Sequence, residues 1–197
     1  IGESPLAQLH MIVRPRAGAQ VTVDEAELES RLAQIVRDWQ DELGEQLTQR
    51  HGEEQGLKLA ARYGRALPAG YIEQVSPQVA ATDVEHLSAL SGADDLRLSL
   101  YRSRRDGGLR FKFYRLHDDI PLSDALPMME NMGLRVISEH PYRLSVDGQV
   151  FYVQDFEVET TDGELDLDTL DSNFEDAFAQ IWRGNAENDG FNRLILG

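Results

Sequence analysis

The densest local group of metal-ligating side chains is His117-Asp118-Asp119, an imidazole beside two carboxylates. Both group types bind metal ions, but a site needs three or four ligands that converge on one point. The remaining histidines are scattered, with no pair at H-x-x-x-H spacing: His10, His51, His86 and His140. We therefore predict no metal site, and we expect these aspartates to be solvated or to cap the helix that follows.

Ser123 is a candidate nucleophile only in isolation, because it lacks a strained G-x-S-x-G turn and has no base nearby in sequence. A hydroxyl at this position is typical of a helix N-cap, so we predict that Ser123 caps a helix over residues 124–132. Pro127 would lie in the first turn of that helix, and Gly133 would end it in a left-handed conformation. The chain has no cysteine, which excludes thiolate chemistry and disulfides. We predict no catalytic residue.

Dinucleotide sites are recognised by G-x-G-x-x-G between a strand and a helix. Gly107-Gly108 precedes a strand, and Gly184, Gly190 and Gly197 lack the spacing. We therefore predict no cofactor-binding residue in this chain.

The composition is that of an ordinary folded chain with an acidic surface. The 197 residues include 35 acidic and 19 basic side chains, for a formal charge of −16. Such a surface repels a phosphate backbone, so we expect no nucleic-acid partner. No apolar run reaches the length of a membrane span, so we expect no membrane partner. The chain begins without methionine and in mid-pattern, and we expect it to be a piece of a longer protein.

The first half of the chain reads as helical after an initial strand over residues 5–13. Thr22 and Glu25 have capping-box spacing at the start of a long amphipathic helix. Shorter helices are predicted over residues 53–63 and 78–90, with residues 67–77 irregular. The apolar stripe of the long helix is Leu28, Leu32, Ile35, Trp39, Leu43 and Leu47, and we expect it to be core.

From Asp95 the hydrophobic period changes to two, which is typical of strands with one buried face and one solvated face. Hairpin turns are predicted at residues 103–108 and at Asp147-Gly148. A final helix is predicted over residues 167–182. The strands begin near Leu96, Leu109, Leu134 and Val150, and their spatial order is predicted to be first, second, fourth, third. This is an α+β fold of the ferredoxin-like type: a four-stranded antiparallel sheet with two helices on one face, preceded by a helical segment.

The solvated face of that sheet is predicted to be basic and partly aromatic. Tyr101 and Tyr114 would lie exposed on it, as in RNA-binding sheets that stack bases. The overall charge opposes that function, so an RNA-binding ferredoxin-like module is the lesser alternative. We expect instead that the face contacts an acidic surface within this chain or on a neighbouring module. The basic residues are Arg97, Arg102, Arg104, Arg105, Arg110, Lys112 and Arg115.

Residues 109–144 carry a family resemblance. The residues concerned are Leu122-Ser123-Asp124, Leu126-Pro127, Glu130-Asn131, Gly133-Leu134-Arg135-Val136, Glu139 and Pro141-Tyr142, followed by Asp155-Phe156. Two other stretches agree, one around Trp39-Gln40-Asp41, Gly52-Glu53 and Tyr63, the other over residues 178–196. Together they resemble the regulatory, ACT-like region of the large bacterial NAD-specific glutamate dehydrogenases.

The resemblance implies a parent enzyme that oxidatively deaminates glutamate with NAD, in the cytoplasm, as an oligomer. This chain would then be a non-catalytic regulatory or assembly segment. We expect residues 1–92 to be an N-terminal strand and helical linker, residues 93–183 the ACT-like domain, and residues 184–197 a tail towards the catalytic part. The partners would be other modules of the parent and other copies of it. The alternative is a free-standing acidic protein-interaction domain.

The resemblance also suggests an effector or interface loop, formed by Asp118, Asp119, Leu122 and Ser123. ACT modules that bind amino acids usually carry a glycine between the first strand and first helix, where the ligand meets the backbone. Residues 116–122 contain none, and a side chain there obstructs a close approach. A packing or assembly role is therefore favoured over an amino-acid effector.

Overall fold

A computed structural model describes residues 24–161 and 167–195. The chain divides into two units, residues 1–36 and residues 37–197. In the first unit, the structure describes residues 24–36. The strand predicted over residues 5–13 lies outside the described residues. The predicted capping box also lies outside them, since Thr22 and the side chain of Glu25 are not described.

Four α-helices form the first part of the described chain, which confirms the predicted helical segment. Gly52, in a left-handed conformation with φ of 79°, allows the chain to reverse between the first and second helices. One prediction was wrong: a short helix occupies part of residues 67–77, which we expected to be irregular. In this helix, the backbone N–H groups of Tyr71 and Ile72 both donate to Pro68 O. The helices are α1 Glu25–His51, α2 Glu53–Tyr63, α3 Ala69–Gln74 and α4 Pro77–Ala89.

The rest of the described chain contains a four-stranded antiparallel sheet, in which the first strand pairs with the second, the second with the fourth and the fourth with the third, as predicted. Its hairpin turns also lie where the sequence placed them: Gly107 has φ of 72°, and Asp147 and Gly148 have φ of 51° and 78°. Gly133 ends the intervening helix with φ of 85°. The elements are β1 Leu96–Arg102, β2 Leu109–Leu116, α5 Leu122–Asn131, β3 Leu134–Val146, β4 Gln149–Thr160, α6 Leu167–Trp182 and a 3-10 helix Gly190–Ile195.

Helices α5 and α6 cover one face of the sheet, as predicted. Phe111 and Phe113 are fully buried there, against Phe174 and Phe178 of α6 and Met129 of α5. Phe111 makes edge-to-face contacts with Phe113, Phe174 and Phe178, at ring-centroid distances of 4.8–5.2 Å. Aromatic pairs in this geometry contribute beyond their buried area.

The start of α5 differs from the prediction. The helix begins at Leu122 with Pro121 as the N-cap residue, so Ser123 lies inside the first turn and does not cap it. Its Oγ donates instead to Asp124 Oδ1, at 3.2 Å. Pro127 consequently lies beyond the first turn. The reason is that Pro121 has a fixed φ suited to the residue before a helix, which starts the helix two residues early.

The second sheet face is buried as well, which overturns the expectation of a solvated face. The helical segment packs on it: the ring of Tyr63 in α2 meets Phe151, and the ring of Tyr71 in α3 meets Tyr142. Leu43 and Leu47 of α1 are fully buried in the same core. Trp39 Nε1 donates to Val75 O at 3.0 Å, which fixes α1 to the end of α3. Ile35, in the predicted stripe, is 60% exposed. The sheet residues of this second core are Tyr114, Leu116, Tyr142, Leu144, Val146, Phe151 and Val153.

Candidate interface loop and buried polar cluster

The loop predicted to bind an effector or a partner connects β2 to α5. Its first residue, His117, adopts a left-handed φ of 77° and donates its N–H to Val150 O at 2.7 Å. This conformation favours glycine, so the loop makes a glycine-like turn although it contains none. Asp118, Asp119, Leu122 and Ser123 are all exposed.

The far end of the same loop is fixed to the sheet. Gln154 of β4 accepts from Ile120 N at 2.8 Å and donates to Ile120 O at 2.9 Å. Arg115 Nε donates to Asp118 O at 3.4 Å, so a backbone carbonyl is held and the Asp118 and Asp119 carboxylates face outward. The result is an exposed acidic rim on a base that is hydrogen-bonded to the sheet. Its role as an effector or interface loop stays a prediction.

A buried polar cluster lies between α4 and the sheet, and the sequence did not reveal it. Lys112 of β2 is fully buried, and its Nζ lies 2.6 Å from Asp83 Oδ2 of α4. Tyr114 Oη donates to Asp83 Oδ1 at 2.7 Å, and Tyr71 Oη donates to Asp83 Oδ2. A second carboxylate, Asp155 of β4, has Oδ2 at 3.6 Å from the same Nζ.

The charges of this cluster shift the pKa of its members. Burial alone would lower the pKa of Lys112, but Asp83 and Asp155 outweigh burial and raise it above its ordinary value. Burial raises the pKa of Asp155, and Lys112 offsets that effect only in part. Burial and the Asp83 charge raise the pKa of Tyr71 and Tyr114 far above the usual range. The cluster therefore holds a charged lysine and neutral phenols, which is a structural arrangement without a nucleophile.

The sequence contained one signal for this cluster. Asp83 lies four residues after Val79 and four before Leu87, in the middle of the apolar side of α4. An acidic residue in an apolar stripe requires a buried partner. The basic β2 strand supplied that partner, so the contact with an acidic surface predicted for the basic face occurs within this chain.

The same geometry removes the basis of the RNA-binding alternative. Tyr114 was expected to be exposed for base stacking, but it is fully buried, and its ring stacks on His86 at a centroid distance of 4.7 Å. Lys112 is equally inaccessible to phosphates. The prediction that alternate residues of β2 are exposed to solvent was wrong, because the helical segment covers them.

No group of three or more His, Cys, Asp or Glu side chains suited to a metal ion occurs among the residues that the structure describes. Over the same residues, no helix is long and apolar enough to cross a membrane.

A four-stranded antiparallel sheet in the order β1-β2-β4-β3, with α5 and α6 on one face, is the ferredoxin-like α+β fold of ACT-like modules. Three family models match the chain in succession. They are the glutamate dehydrogenase ACT2 domain over residues 1–40, its helical motif 2 over residues 46–90, and its ACT3 domain over residues 95–170.

Curated relatives agree along the whole chain. The chain is 39% identical over 200 residues to the NAD-specific glutamate dehydrogenase of Halomonas elongata, and 37% identical over 198 residues to that of Pseudomonas aeruginosa. A more distant match, 25% identical over 215 residues, is the enzyme of Mycobacterium tuberculosis. The alignments cover 98–100% of this chain but only 12–13% of each relative. The chain is an ACT-like regulatory region of the NAD-specific glutamate dehydrogenase family.

Proposed function

We propose that this chain is a non-catalytic regulatory and assembly segment of an NAD-dependent glutamate dehydrogenase. The parent reaction would convert L-glutamate, NAD and water to 2-oxoglutarate, ammonium and NADH. The observation that carries the proposal is the succession of three matched modules of that enzyme, which span little of its length. NAD would bind elsewhere in the parent, and the cytoplasm would be its location.

The fold supports assembly through the loop and not through the sheet faces. Helices cover both faces, so neither is free to dock another module. The loop instead presents Asp118, Asp119, Leu122 and Ser123 on a base that is hydrogen-bonded to the sheet, and Leu122 exposes 41% of its surface. An apolar residue rimmed by acidic groups suits a basic, partly apolar patch on another module or another copy.

The domain boundaries remain part of this proposal. Residues 1–92 would form the preceding strand and helical linker, residues 93–183 the ACT-like domain, and residues 184–197 the passage to the catalytic part. In the described tail, Asn188 Oδ1 accepts from Asn131 Nδ2 of α5 at 2.9 Å. That contact would set the direction in which the chain leaves the domain.

The test uses the full reading frame that contains this chain. Leu122→Asp places a charge on the proposed interface, and Leu57→Asp is the matched control, because Leu57 is an exposed leucine of α2. We expect Leu122→Asp to weaken oligomer association by about tenfold or more in sedimentation experiments, with Leu57→Asp near wild type. Equal behaviour of both variants would remove the interface from this loop.

A second measurement addresses the absence of catalysis. The isolated chain should produce no NADH from glutamate and NAD, whereas the longer protein should do so. Turnover by the isolated chain would contradict a purely regulatory role. A longer protein that lacks the activity would contradict the assignment of the parent reaction.

A further inference from the structure

A basic cavity of about 390 Å³ opens between the helical segment and β1. Arg50 lies in its α1 wall and Thr82 in its α4 wall. The third wall contains Ser99 and Arg102 of β1, with Arg104 of the turn that follows. Three separate elements therefore bring guanidinium and hydroxyl groups to one concave site, whose volume suits a small ligand.

Two arginines of this cavity have no acidic partner. Arg102 donates from Nη1 to a backbone carbonyl, Gly107 O, at 3.1 Å. Arg104 makes no hydrogen bond or ion pair to any residue that the structure describes, and both side chains are exposed. The whole chain carries a formal charge of −16, so two unpaired cations in one cavity wall reverse the prevailing surface charge locally.

The carboxylates around this cavity are paired elsewhere or lie outside its walls. Asp83 lines the cavity, but Lys112 matches its charge at 2.6 Å. Glu85 pairs with Arg50 at 3.3 Å. Glu42 of α1 does not line the cavity. The walls therefore keep the two positive charges of the unpaired arginines.

The cavity also offers hydroxyl groups. Thr82 Oγ1 accepts from Arg50 Nη1 at 2.8 Å, so its own O–H remains available as a donor. Ser99 is half-buried, and its hydroxyl makes no hydrogen bond within the described part of the chain. Guanidinium and hydroxyl donors that approach from different elements suit an anion with several acceptor oxygens.

We propose that this cavity binds the phosphate group of a small phosphorylated molecule, with Arg102 and Arg104 as its counter-charges. The hydroxyls of Thr82 and Ser99 are further donors. A phosphate monoester has three strong acceptor oxygens and a charge of about −1.5 to −2 at pH 7, which matches two unpaired arginines. The acidity of the rest of the chain does not prevent binding, because physiological salt screens exposed charges beyond about 8 Å.

The phosphate site and the interface loop are independent proposals. The cavity lies at the end of β1 and β2 where the hairpin joins Arg102 to Leu109, and the loop follows the other end of β2, at Leu116. A variant at one place therefore leaves the other in position.

The binding test is calorimetry on this chain, in a buffer without phosphate, with inorganic phosphate and glycerol 3-phosphate. Glycerol is the control without charge, and succinate is the control with two negative charges on planar groups. We expect at least one phosphate compound to bind with a dissociation constant of about 1 mM or less, and about tenfold more tightly than succinate. Succinate binding of equal strength would overturn the assignment to phosphate. Absence of binding by both phosphate compounds would overturn the proposal and leave the assembly function intact.

One variant and a matched control assign the contact. Arg104→Gln removes an exposed guanidinium that holds no described residue, so the fold should stay intact while phosphate binding weakens by about tenfold or more. Arg105→Gln is the control, since Arg105 is exposed in the same turn but does not line this cavity, and binding should stay within about twofold. Equal weakening by both variants would show general attraction to the basic hairpin and would exclude this cavity as the site.

Discussion

Asp83 is the residue on which most of the buried polar contacts converge. Its two oxygens bind Lys112, Tyr114 and Tyr71, which come from β2 and α3. Asp83 and Lys112, the two charged members, are almost fully buried, so water cannot replace either of them. Such pairs add little net stability compared with apolar residues, but the loss of one member leaves the other charge unpaired.

We expect Asp83→Ala to lower the free energy of unfolding by about 3–5 kcal/mol, because Lys112 and two phenols lose their acceptor. Urea denaturation followed by circular dichroism measures the change. The control is Glu54→Ala, which breaks the exposed Glu54–Lys58 pair on α2 and should cost no more than about 0.5 kcal/mol. A similar small loss in both variants would show that the cluster is hydrated.

Asp155 and Asp106 should give pH dependences of opposite sign. Burial raises the pKa of Asp155, so its favourable contribution to stability is present at low pH and is lost as pH rises through its folded-state pKa. Asp155→Asn, which stays neutral, should therefore gain stability relative to wild type as pH rises above the unfolded carboxyl pKa of about 4.

The backbone N–H of Gly108, with the Ser103 and Arg110 side chains, lowers the pKa of Asp106 to about 2. The contribution of Asp106 is thus present above the unfolded pKa and is lost as pH falls towards 2. Asp106→Asn should lose stability relative to wild type at neutral pH, and the difference should shrink in acid. Urea midpoints across the pH range measure both variants, and differences of the same sign would contradict the assigned environments.

At the scale of elements, Gly56 sets the distance between α1 and α2. A Cβ at this position would lie 2.5 Å from Thr48 N and 2.7 Å from Leu47 C, both backbone atoms of α1. The neighbouring helix cannot yield there without moving as a whole. The close packing of the two helices therefore depends on the missing side chain, although glycine is a poor helix former.

Gly56→Ala should lower the free energy of unfolding by about 1–3 kcal/mol, because overpacking exceeds the gain in helix propensity. Gly70→Ala in α3 is the control, since its Cβ would meet no atom within 4 Å. That variant should be stabilised by about 0.5–1 kcal/mol. Thermal or urea unfolding of the two variants measures the contrast, and stabilisation by Gly56→Ala would show that the helices lie farther apart.

At the scale of the molecule, one sheet is shared by two cores. The region matched by helical motif 2 packs on the sheet of the ACT3 match, and the Lys112–Asp83 pair joins the two. Because β2 and β4 contribute side chains to both cores, loss of one core exposes strands needed by the other. The regulatory module is therefore expected to unfold together with its helical linker.

The two tryptophans report on the two cores separately. Trp39 belongs to the core under the helical segment, and Trp182 packs against the core under α5 and α6. The variants Trp182→Phe and Trp39→Phe each leave one fluorescent probe. We expect each variant's fluorescence transition to coincide with its own circular dichroism transition in urea, as for a two-state unit. A gap between the probes of either variant would show that the linker melts independently.

The sequence alone determined the strands, their hairpins and the spatial order of the sheet. Alternation from Leu96 onward, the Asp147-Gly148 turn and the stop at Gly133 are local signals, since each depends on residues within a few positions. The start of α5 was predicted wrongly, with Ser123 as the N-cap residue, because a local pattern did not show that Pro121 takes that position. The predicted site residues are where the loop was expected, but their function follows from no local pattern.

Only the tertiary structure decided what lies on the second sheet face. Alternation shows that Lys112 and Tyr114 point away from Phe111 and Phe113, but it does not show what they meet. Their partner, Asp83, lies 29 residues before Lys112, and the helices between them must pack before the charges pair. The basic cavity has the same origin, because residues from α1, α4 and the hairpin line it only when those distant segments pack together.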